Sequence, residues 1–325
     1  MAQARGHSVV GLDVGYFKDC GGDVPADRQI VRDVRDVTTP DLHDVDAVIH
    51  LAGLSNDPMG ALDESLTRDI NLDATLALGR LAKAAGVGRF VFASSCSLYG
   101  AAGGEAALDE TASMAPVSAY AVSKAKSEEG LSALADSDFS PVFMRNATAY
   151  GVGPRPRFDL VVNNLAGWAY TTGVLKVMSD GTPWRPLVHI EDIALAALCA
   201  VEAPQAAVHN HAFNVGRSDA NYRVRDVAAA VHQAFPQAAL NITGESGGDP
   251  RSYRVNFDKA LNCLPGFAPR WTLEAGVDEV ARWLRNGGLG DAAFDSRRFV
   301  RLAQLQALRA EGVIDDQLRV VRTPD

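Results

Sequence analysis

Short apolar runs that end in acids or hydroxyls recur along this chain, with helical stretches between them. Residues 8–13 read as one such strand, 29–36 as a second, 47–52 as a third, 89–93 as a fourth and 141–145 as a fifth. Helical periodicity fills 61–85, where Leu66, Ile70, Leu76, Leu78 and Leu81 are mixed with charges, and a further helix carries Tyr120 and Lys124. Strands alternating with helices leave few arrangements: an α/β chain with a parallel sheet wound on both faces.

After Gly151 the texture changes. A loop over 153–157 leads into a helix at 161–170, strands at 175–178 and 186–190, a helix from Glu191, a strand at 213–216 and helices at 224–235 and 273–285. The expected division is a first domain over 1–150, a substrate-binding region over 151–290 with 187–216 partly returning to the sheet, and a helical tail over 291–325, read as a helix pair.

With 47% hydrophobic and 22% charged residues the chain reads as soluble and globular. A net charge of -9 argues against nucleic-acid binding, arginines near 251–254 and 297–301 being local exceptions. No apolar run approaches the roughly 18 residues of a membrane span and no apolar signal core opens the chain, so the expected location is cytoplasmic. The four cysteines are scattered, and His209 and His211 have no nearby third ligand, so neither a disulfide framework nor a metal site is expected.

The chemistry concentrates at two points. The run at 89–93 gives way to Ser94, Ser95 and Ser97, and Tyr120 precedes Lys124 by one helical turn. If strand end and helix face meet, Ser95, Tyr120 and Lys124 form a cluster suited to moving a proton on and off an alcohol while hydride leaves its carbon.

These residues, with Leu12-Asp13, Asp33-Val34, His50-Leu-Ala-Gly53, Asn71, Arg145-Asn-Ala-Thr-Ala-Tyr-Gly151, Asn163-Asn-Leu165, Trp184-Arg-Pro-Leu-Val-His-Ile190 and Phe213-Asn-Val-Gly216, carry a resemblance. The chain resembles the NAD-dependent epimerase/dehydratase family of extended short-chain dehydrogenases/reductases, which act on nucleotide sugars. The resemblance implies a Rossmann-type sheet, NAD as cofactor, a nucleotide-diphosphate sugar as substrate and a homodimer. It makes Tyr120 the base, has Lys124 lower the Tyr120 pKa and grip the nicotinamide ribose, and has Ser95 hydrogen-bond the reacting oxygen. Asp13, Asp33, Val34, Leu51, Ala52 and Gly53 are the implied cofactor contacts. Asn146, Asn164, Leu165, Arg185 and Arg251 are the implied substrate contacts, Arg251 being spaced differently from the epimerase version. Bland readings accompany several residues: Cys96 as inert packing, His189 as structural, Asn71 as a backbone partner.

One departure stands out. In a dinucleotide-binding unit the glycine-rich turn comes about 20 residues before the acid that holds the ribose. With Asp13 as that acid the turn would precede Met1, and Gly21-Gly22 follow the acid instead. The strand before that turn normally lies mid-sheet, so two inner edges are expected to lack partners. A misassigned start and a truncated remnant both account for this.

The reaction is read from the residues after Ser95. A 4,6-dehydratase resembling this family places an acid there; this chain has Cys96 and Ser97. The expectation is a nucleotide-sugar 4-epimerase, with a 4-ketoreductase and a non-catalytic nucleotide-sugar-binding remnant as alternatives.

Overall fold

The computed structural model describes residues 1–60, 62–100, 102, 106–244 and 252–321. The strands are β1 (Val10–Asp13), β2 (Arg28–Val31), β3 (Ala47–His50), β4 (Arg89–Ser95), β5 (Ser140–Asn146), β6 (Thr148–Tyr150), β7 (Val174–Val177), β8 (Trp184–His189), β9 (His211–Val215), β10 (Asn221–Arg223) and β11 (Ala239–Ile242). The helices are α1 (Asp57–Gly60), α2 (Glu64–Arg68), α3 (Ala74–Ala84), α4 (Ala119–Ser132), α5 (Val161–Thr172), α6 (Ile190–Glu202), α7 (Gln205–Val208), α8 (Val224–Ala234), α9 (Asp258–Cys263), α10 (Leu273–Arg285) and α11 (Arg301–Ala310).

The central sheet runs β3-β4-β5-β9 with every pair parallel. Its strands are apolar on both sides because both faces are covered. Phe90 and Phe92 face α3 and α4, packing with Leu78, Ala82, Leu131 and Phe143. Val91 faces the other way with Val142, Met144 and Phe213, against Leu195, Ala196 and Cys199 of α6. This is the doubly wound Rossmann-type architecture. β9 returns to the sheet from the C-terminal half, whereas β8 pairs with β6 and β10 outside it.

β1 and β2 form a separate parallel pair. β3 bonds β4 on one side only, so the strands ending at Asp13 and His50 are not paired with each other. Both faces of the central sheet nevertheless hold this pair. Before β1, Arg5 and His7 bond Glu202 at the end of α6 at 2.6 and 2.8 Å. After β2, Val34 packs into the cluster under α3. Apolar groups lie open beside β3, with Leu51 64% exposed.

A second core outside the central sheet packs α5, α8 and α10 around Phe158, Leu175, Val231 and Val277. α10 shows why the sequence pattern is legible: Leu273, Val277, Val280, Ala281 and Leu284 make one buried stripe, and Thr272 caps the helix at the Ala275 amide. The helix expected over 61–85 runs without a break from Glu64 to Ala84, a π-helical turn over Asp69–Asp73 joining α2 to α3. One expectation needs correction. The tail is not a helix pair: α11 is followed by a turn closed by the Ile314–Val320 bridge. Ile314 and Leu318 are buried there against Leu54, Met59 and Leu66.

Gly100 closes the turn that follows β4, with φ +50° and ψ -110°. A Cβ there would stand 1.9 Å from the Ala115 carbonyl oxygen. Gly100→Ala is therefore expected to destabilise the fold by about 3 kcal/mol, read from the urea midpoint.

Candidate active site

Ser118 sets the start of α4, accepting the Ala121 amide at 3.2 Å and donating to Asp57 at 2.5 Å. Tyr120 thus falls in the first turn, half-buried, and Lys124 one turn later. The buried face of α4 is polar, with Ser123, Lys124, Ser127 and Glu128 inside. Structural helices bury apolar stripes, so a polar buried face marks a site or its supports.

Lys124 Nζ donates to the Ala93 carbonyl at 2.7 Å, two residues before Ser95. It lies 5.7 Å from the Tyr120 ring centre and 4.6 Å from that of Phe92. Ser95 ends β4, its Oγ accepting the Ser97 amide at 3.1 Å. Asn146 is its register partner on β5, so the two side chains share a face. Asn146 Nδ2 donates to the Ser94 carbonyl at 3.4 Å, while its buried Oδ1 has no partner among the described residues. Helix and strand ends therefore bring Lys124, Tyr120, Ser95 and Asn146 to one end of the sheet. A cleft continues from there between Ile49, Leu51, Val91, Ala93 and Met144 on one side and α6 on the other.

Burial lowers Lys124 to about 8, with Glu128 acting in the opposite sense. Burial also lowers His50, bonded to Thr75 at 2.8 Å, to about 3, helped by the Lys124 charge. An unfolded lysine titrates near ~10.4. Between about pH 8 and that value the unfolded chain binds more protons, so Lys124 makes stability rise with pH. Lys124→Met lacks this contribution. Wild-type stability relative to the variant is expected to climb with pH, by at most about 1.4 kcal/mol per unit, in urea melts across that window. A difference that stays flat contradicts the buried amine.

Behind the strand ends lies a charged network. Arg145 grips Glu128 through Nη2 at 2.8 Å and Nε at 3.1 Å, and donates to Tyr99 at 3.0 Å. Ser94 donates to the same carboxylate at 2.5 Å. Burial opposes the Arg145 charge, but the Glu128 bonds outweigh it and hold its pKa raised. Cys96 donates to the Arg145 carbonyl at 3.1 Å, and burial pushes its thiol up. Neither Cys96 nor the buried Ser97 hydroxyl is a proton donor at neutral pH.

The remaining expected contacts divide. Asp13 is exposed, accepting the Gly15 amide at 2.7 Å and pairing with Arg155 at 3.2 Å. Asp33 is already engaged: Arg35 bonds both its oxygens, and Arg319 of the tail stands 3.5 Å away. Arg35 also donates to the Gln317 carbonyl at 2.9 Å, tying the tail to this turn. Val34 is half-buried in packing, while Leu51 and Ala52 are exposed. A Cβ at Gly53 would meet Asn71 at 2.9 Å, and Asn71 bonds the Leu54 amide and carbonyl, a backbone role. Asn164 donates to the Phe158 carbonyl at 2.9 Å, and the Leu165 side chain is core. Arg185 is half-buried and donates to the Trp184 carbonyl at 2.9 Å. Arg251 lies outside the described residues. His189 is structural, bonded to Glu279 at 2.8 Å and stacked on Trp271.

Residues 1–216 match the NAD dependent epimerase/dehydratase family. The chain belongs to that family. Among family relatives, it is 32% identical over 246 residues to the UDP-glucuronate 4-epimerase of Thermodesulfobacterium geofontis (strain OPF15), covering 74% of this chain and 73% of the relative. It is 26% identical over 282 residues to the UDP-glucose 4-epimerase of Erwinia amylovora, covering 77% and 79%. The solved structure of MoeE5 in complex with UDP-glucuronic acid and NAD superposes with a TM-score of 0.75 at 26% identity, covering 88% of this chain and 93% of that one.

Proposed function

We propose that this chain is an NAD-dependent nucleotide-sugar 4-epimerase acting on a UDP-hexose or UDP-hexuronate. The observation that carries this is the Lys124 amine, buried at the end of β4 and 5.7 Å from the Tyr120 ring centre. An ammonium held beside a phenol favours phenolate and makes Tyr120 a proton acceptor near neutral pH. Tyr120 takes the proton of the sugar 4-hydroxyl and later returns one, with Ser95 hydrogen-bonding the same oxygen. NAD, when held at this end of the sheet by Lys124 and Asn146, would supply the hydride acceptor and donor for C4 of the sugar.

The residues fit the cofactor's nicotinamide end. Lys124 offers an ammonium, Asn146 a buried Oδ1 with no partner among the described residues, and Leu51 an open apolar surface. At the adenine side Asp33 becomes available only by exchanging its Arg35 and Arg319 partners. That engagement favours a second reading, nucleotide-sugar binding without turnover. Cys96 and Ser97, buried and without acidity, support epimerisation over dehydration.

The test incubates the protein with UDP-glucuronate or UDP-glucose without added reductant and follows the sugar protons by NMR. Interconversion of C4 epimers is expected. Consumption of a 4-keto sugar only with external NADH would move the assignment to a reductase, and binding with no turnover to the second reading.

A further inference from the structure

Three parts of the candidate site connect to one carboxylate that meets no reacting atom. Glu128 lies one turn beyond Lys124 on α4, its side chain 6% exposed. Its Oε1 takes the hydroxyl of Ser94, the residue before Ser95. Both oxygens take the guanidinium of Arg145, the residue before Asn146. A buried carboxylate gripped by a forked guanidinium and a hydroxyl has a fixed geometry, because each bond is short, charge-assisted and shielded from water.

We infer that Glu128 is the positioning residue of this site: it registers α4 against the ends of β4 and β5 and supplies the negative charge that keeps the Lys124 ammonium at the Ala93 carbonyl. The surroundings of Lys124 support this. On α4 it stands 5.7 Å from the Tyr120 ring centre and one turn before Glu128; β4 offers the Ala93 carbonyl and the Phe92 ring; on β3 His50, neutral through burial, feels its charge. Arg145 of β5 spends its charge on Glu128 and Tyr99. Among the described residues Glu128, one turn further along α4 and so on the same face, is the carboxylate placed to favour the Lys124 charge. The site's Lys124 role rests on the proposed function; the inference about Glu128 is read in the protein alone.

The experiment titrates Lys124 in protein carrying 13C-labelled lysine, its signal assigned by loss in Lys124→Met. In Glu128→Gln the midpoint is expected to fall below that of wild type by about 1 unit. Glu128→Asp, which retains the charge, should stay closer to wild type than Glu128→Gln does. Should Glu128→Gln not fold, Glu128→Leu/Arg145→Leu removes both charges and leaves no buried ion uncompensated; a smaller fall in the same direction is expected, since Glu128 is nearer Lys124 in the chain's helix than Arg145 is on β5. An unchanged midpoint in the charge-free variant overturns the inference. A shifted midpoint in a protein that epimerises nothing retires the proposed reaction and leaves the role of Glu128 intact.

Discussion

In Tyr120→Phe, kcat for the proposed interconversion of C4-epimeric nucleotide sugars is expected to fall roughly 10²–10⁴-fold, the range spanned by one positioned proton-transfer group. The ring remains, so packing of the first turn of α4 is preserved and nucleotide-sugar binding persists. What disappears is the hydroxyl proposed to move the proton, on a ring whose centre lies 5.7 Å from Lys124 Nζ. The signature is therefore a loss in kcat with little change in KM, measured by NMR at several substrate concentrations. A variant retaining near-wild-type turnover places the base elsewhere.

Arg145→Ala is expected to remove about 3–5 kcal/mol of folding free energy, the loss associated with breaking a buried ion pair from one side. Both partners are almost wholly enclosed, with side-chain exposures of 5% and 6%. Without the guanidinium, Glu128 keeps only the Ser94 hydroxyl, and Tyr99 loses its donor. Equilibrium urea unfolding at neutral pH reads the effect. A loss within about 1 kcal/mol would mean that water reaches the pair.

Much of the site was legible because its signals are local. Tyr120 and Lys124 are one turn apart on a single helix, and Ser95 ends an apolar run, so spacing alone proposed the cluster. α10 was legible over its whole length, its apolar stripe closing on a threonine cap. The supports were not. Glu128 and Arg145 are 17 residues apart and meet only because α4 crosses the ends of β4 and β5. One signal was available: glutamate repeats the Lys124 position one turn later, on a face that already carries the site. The fate of Asp33 was hidden for the same reason, since the tail that reaches it is 283 residues distant in the chain as counted from Arg35 to Leu318. The helix over 61–85 was legible as one run, but its π-helical turn at Asp69–Asp73 was not, since one widened turn leaves the apolar spacing nearly intact.

The central claim is that the Ser95, Tyr120 and Lys124 end of the sheet oxidises and re-reduces C4 of a nucleotide sugar. Its most direct test is the NMR spectrum of UDP-glucuronate, then of UDP-glucose, incubated with the protein and NAD but no external reductant. The expected result is appearance of the C4 epimer to equilibrium with no net NADH, abolished in Tyr120→Phe. Saturable binding of NAD and both sugars with no epimer formed would contradict it.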